Sequence, residues 1–89
     1  MLKKLTVDHG ITLVPMYLVE DPELSATALG VIAFLCYAIP HNLPLSVSTI
    51  TSRFGMKERK WRHVSAELRA KGILSSKRTN KGIELMFTI

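Results

Sequence analysis

The chain has 89 residues, 47% of them hydrophobic and 21% charged, with a formal net charge of +5. That describes one small globular domain, too apolar for intrinsic disorder and able to bury only about 60–65% of its unfolded surface. The single cysteine, Cys36, excludes an internal disulfide and a cysteine-rich metal site; it reads as a buried structural thiol in a reducing, cytoplasmic setting.

Residues 1–6 read as a loose or extended start. Lys3 and Lys4 run into Asp8 and His9 rather than into an apolar core, so no signal peptide is expected. Residues 11–19 are apolar and rich in β-branched side chains, broken by Pro15, and read as a short extended segment, in one piece or two, lying against the core. Asp21-Pro22-Glu23 is a turn. Ser25 then supplies an N-cap hydroxyl for a helix that runs to about Ala38 and stops before Pro40. That helix has no charged residue, so it is expected to be a core helix covered on every side, or to leave one face for a partner. The longest apolar run, residues 24–39, falls short of the roughly 20 needed to span a bilayer, so no membrane is expected.

Residues 40–44 form a proline-bounded loop, after which Leu45 and Ser46 are expected to make a short strand. Ser46 is also the expected N-cap of a second helix, because Val47, Ile50, Thr51 and Phe54 recur at helical spacing. Gly55 ends it where a left-handed residue is wanted. A third helix is predicted over about 57–71, with Gly72 just past its end. Residues 73–79 and 83–89 then make a β-hairpin around Asn80-Lys81-Gly82. In its second strand Ile83, Leu85, Phe87 and Ile89 alternate with Glu84, Met86 and Thr88, which predicts one buried face.

Charge divides along the same line. Residues 1–52 carry two basic and four acidic side chains, a net of −2, while residues 53–89 carry ten Lys or Arg against Glu58, Glu67 and Glu84, a net of +7. A basic half favours a polyanion. On a helical wheel Trp61, Val64, Ser65 and Leu68 share one side of the third helix, an apolar stripe for the core. The opposite side is centred on Arg59, His63, Ala66 and Ala70, with Lys60 and Arg62 on the flanks. Long hydrogen-bonding side chains in the first turns, with small alanines behind them, suit entry into the major groove of duplex DNA. Arg59 has the planar fork that matches guanine, while Lys60 and Arg62 suit the flanking phosphates. Lys57 stands at the start of the helix, and Lys77, Arg78, Asn80 and Lys81 surround the hairpin tip. The expected DNA-binding set is therefore Lys57, Arg59, Lys60, Arg62, His63, Lys77, Arg78, Asn80 and Lys81.

With "LSATALGVIAFL", "LSVSTITSRFGM", "KERKWRHVSAELRAKGIL" and the hairpin after them, the chain resembles the winged helix-turn-helix superfamily over roughly residues 24–89. It is similar in particular to the N-terminal DNA-binding domains of phage and plasmid replication initiators of the DnaD-like kind, and more loosely to MarR- and GntR-type regulators. The entry "VPMYLVEDPELSATA" carries the likeness to initiators. Two positions depart from the pattern. Lys57 stands where a small or Ser/Thr cap is usual, and Trp61 where an aliphatic residue is usual. The resemblance implies a mainly α domain with a small β-hairpin, three helices plus a C-terminal wing, with residues 1–23 packed on it as an N-terminal segment. It implies double-stranded DNA binding in DNA replication initiation. The alternatives are a role in transcription regulation, and a protein-interaction or homodimer module that uses the apolar first helix or docks a downstream domain. No cofactor is expected, and no nucleophile, metal or phosphate-loop pattern points to an enzyme.

Overall fold

A computed structural model describes residues 11–89; the start expected at residues 1–6 lies outside them. The architecture is α+β, with helices α1 (Met16–Val19), α2 (Ala26–Ala38), α3 (Val47–Phe54) and α4 (Glu58–Ala70) followed by strands β1 (Leu74–Thr79) and β2 (Gly82–Phe87). Among the described residues, no helix is long and apolar enough to cross a membrane.

Residues 16–19 are helical, not extended as the β-branched composition predicts. Pro15 stands just ahead of α1, where no helical amide is needed, and its carbonyl accepts from the amides of Leu18 and Val19. That single turn points Leu18 into the core, where it is 2% exposed. Burial of one leucine outweighs a weak β propensity.

α2 is the central helix, and Ala28, Val31, Ile32, Leu35 and Ala38 are fully buried. Its cap is the predicted Ser25, whose Oγ accepts from the Ala28 amide at 3.1 Å. The same hydroxyl donates to Glu67 Oε2 at 2.7 Å, and the Ser25 amide donates to Glu67 Oε1 at 2.8 Å. One residue thus caps α2 and ties its start to α4, 42 positions away.

A second tie lies beside it. Lys71 Nζ donates to Asp21 Oδ2 at 2.8 Å and Glu23 Oε1 at 2.9 Å. The Lys71 ammonium, helped by the Glu23 amide, holds the Asp21 carboxyl below its ordinary value of 3.8, and the two carboxylates, Asp21 first, raise Lys71 above 10.5. The Asp21 contribution is full above about pH 4 and lost as pH falls through the lowered value; that of Lys71 is full below about pH 10.5 and lost above it. Asp21→Asn is expected to lower the urea midpoint at neutral pH, with the difference from the parent closing as pH falls below about 4.

α3 begins as predicted at Ser46, which accepts from the Thr49 amide at 3.1 Å, and it buries Ile50. Gly55 ends it at φ 62°, and the Met56 amide closes on the Thr51 carbonyl at 2.9 Å. Only Gly55, Met56 and Lys57 separate α3 from α4. At the far end of α4, Gly72 takes φ 72° and the Ile73 amide reaches the Leu68 carbonyl at 2.9 Å.

β1 and β2 pair antiparallel with Leu74 opposite Phe87 and Thr79 opposite Gly82. Asn80 and Lys81 keep ordinary negative φ, and Gly82 completes the reversal at φ 121°. The expected strand at Leu45 and Ser46 does not form, and among the described residues the sheet has two strands. Pro44 has no amide to donate, and the Ser46 carbonyl already accepts from the Ile50 amide at 3.0 Å, which leaves few backbone groups for a ladder. A crevice of about 720 Å³ stands instead between Leu45–Val47 and the Ile83–Leu85 stretch of β2. The predicted apolar face of β2 is only partly covered. Leu85 and Phe87 pack on the core, while Ile83, next to the tip, is 70% exposed, and Ile89 lies past the end of the strand and is exposed.

Candidate nucleic-acid interface

α4 presents the faces its sequence predicts. Val64 and Leu68 are fully buried and Trp61 packs half-buried against the core. Arg59, His63, Ala66 and Ala70 are exposed along the opposite line. Lys57 takes the N-cap position with extended backbone, and its side chain makes no cap bond. The predicted start is therefore right to within a residue, and the amides of the first turn stay open to solvent.

The two flanks of α4 have different neighbours. Lys60 and Glu67, seven residues apart, share the flank towards the start of α2, as the Glu67–Ser25 bonds require. Glu58, Arg62 and Arg69 share the flank towards the hairpin, and Arg69 Nη2 donates to Ser76 Oγ of β1 at 2.7 Å. A groove of about 600 Å³ opens on the first flank, where Lys57, Arg59, Lys60 and His63 stand over a floor of Phe54 and Met56, with Thr27 of α2 opposite. Four of the nine predicted residues are thereby brought to one concave surface.

Arg62 is exposed, and its Nη2 lies 2.7 Å from Glu58 Oε1 in an i,i+4 pair. Such an exposed pair is worth only about 0.3–0.5 kcal/mol, so a phosphate can take the guanidinium over. Lys57, Arg59, Lys60, Lys77, Arg78 and Lys81 make no ion pair among the described residues.

The hairpin separates its own basic residues. Ser76 faces α4, so Arg78, two positions on, points to the same side. Lys77 points to the other side, directly across from Glu84. Asn80 and Lys81 are exposed at the tip, where Thr79 Oγ1 accepts from the Lys81 amide at 3.3 Å. Lys77 is thus the one predicted residue that the strand turns away from α4.

Two basic residues near this surface, Arg69 and Arg53, lie outside the expected set. Arg69 braces the hairpin, and its spacing of seven from Arg62 is a signal that could have found it. Arg53 lies at the end of α3 with its guanidinium 5.9 Å from the Phe34 ring centre and 5.8 Å from that of its neighbour Phe54; only the fold brings Phe34 of α2 to it. Among the described residues, no group of three or more His, Cys, Asp or Glu side chains is placed to hold a metal ion. Cys36 is half-buried, and burial raises its thiol, which keeps it protonated. No family model, characterised protein or solved structure matches this chain.

Proposed function

We propose that this domain binds double-stranded DNA as a winged helix-turn-helix, with α4 in the major groove and the hairpin tip on the neighbouring backbone. The observation that carries the reading is the single surface formed by Lys57, Arg59, Lys60 and His63, flanked by Arg62, which pairs with Glu58, and by Arg78. Arg59 and His63 on the outermost line reach base edges, while Lys57, Lys60 and Arg62 hold phosphates and fix register. The three-residue turn between α3 and α4, closed by a left-handed glycine, has the length and chemistry of helix-turn-helix connections. The setting we favour is the DNA-binding part of a replication initiation protein, on the likeness of the entry segment that leads into α2.

The hairpin supplies a test internal to the protein. Lys81→Ala is expected to weaken binding to all duplexes alike and to reduce the steepness of the salt dependence by about one, while Lys77→Ala leaves both unchanged. Affinity titrations at several salt concentrations measure the two side by side. No effect from Lys81→Ala would remove the hairpin tip from the interface, and equal losses from both variants would overturn the division between the two faces of β1.

A further inference from the structure

We propose that the chain forms a two-fold homodimer through the apolar face built by residues 11–19 and the end of α2. Ile11, Leu13, Met16, Tyr17 and Val19 are between 53% and 82% exposed, and Ile39 beside them is 40% exposed. For residues of this size those fractions sum to roughly 800 Å² of open surface over the six residues, about the area that each partner of a stable dimer buries. Residues 10–19 include no charged side chain, although the chain as a whole carries +5. Two copies can therefore meet here without bringing like charges together, which no basic face of the molecule allows. The absence of cations on residues 10–19 also leaves nothing there to hold anionic lipid headgroups.

Shape points to the same occupant. A cavity of about 430 Å³ opens on this face, lined by Leu13, Pro15, Cys36, Ile39 and Phe87 among others. It has room for one aromatic side chain, and Tyr17, two residues from Pro15, stands 66% exposed. A two-fold axis can seat an exposed ring of one copy in the cavity of the other. Tyr17 of each copy enters the cavity of the other, an aromatic anchor in an apolar pocket. None of the residues that line the α4 groove lines this cavity, so dimerisation leaves the basic surface free.

Sedimentation equilibrium of the full chain, without DNA and at high salt, over micromolar to millimolar concentrations tests the proposal. The expected result is a rise from the monomer mass to twice that mass. Tyr17→Glu and Leu13→Glu, both at exposed positions, keep the helical circular dichroism and hold the protein at monomer mass. Ile83→Glu, a charge placed on the exposed hairpin position, leaves the dimer intact. A monomer at every concentration overturns the proposal, whether residues 1–10 or another protein covers the face. So does a dimer that survives both substitutions. Because no DNA is present, either failure leaves the DNA-binding reading standing.

Discussion

Arg59→Ala is expected to weaken binding to the preferred duplex by about 1–3 kcal/mol, a factor of roughly 5 to 150, and to flatten the preference among sequences. The side chain sits in the first turn of α4 on its outermost line, beside the open groove. It makes no ion pair among the described residues. Its planar fork can meet two acceptors of guanine at once, and removal of one good bidentate contact costs this much discrimination. Folding stability is expected to stay nearly constant, since an exposed arginine leaves no cavity. Competition titrations against a panel of duplexes measure the effect. A uniform loss across all sequences would make Arg59 a phosphate contact instead.

Leu68→Ala acts on the other side of the same helix and is expected to cost about 2–5 kcal/mol of folding stability. Leu68 is fully buried and belongs to one cluster with Val31, Ile32, Leu35 and Ile50. Its carbonyl also accepts from the Ile73 amide at the turn into β1, so a shift of this residue loosens the link to the hairpin. A domain of this length has only a few kcal/mol to lose, and the variant is expected to be largely unfolded near body temperature. Urea denaturation followed by circular dichroism gives the value. A cost below about 1 kcal/mol would mean that the site collapses around the missing atoms and that α4 is held mainly by its polar ties.

Much of this arrangement is legible in the sequence because local chemistry decides it. Ser25 and Ser46 cap helices in the predicted places, and Gly55 and Gly72 end them with positive φ, since each rule concerns a handful of neighbouring residues. The outer line of α4 follows from helical period alone. The misreadings occur where a long-range contact decides. Residues 16–19 are helical because the fold has a place for Leu18. Leu45 and Ser46 make no strand because a crevice, and not a ladder, lies between them and residues 83–85 of β2. The division between Lys77 and Arg78 depends on which face of β1 meets α4, and that is set by Arg69 and Ser76. The bonds between Ser25 and Glu67 span 42 residues, and no periodicity announces them.

The most direct test of the central claim is the binding of a fluorescent duplex of random sequence, followed by anisotropy over a series of salt concentrations. With about five phosphates held by Lys57, Lys60, Arg62, Arg78 and Lys81, the logarithm of the affinity should fall against the logarithm of salt with a slope of about −4 to −5. No binding to any duplex at low salt, or binding that salt leaves unchanged, would contradict the account.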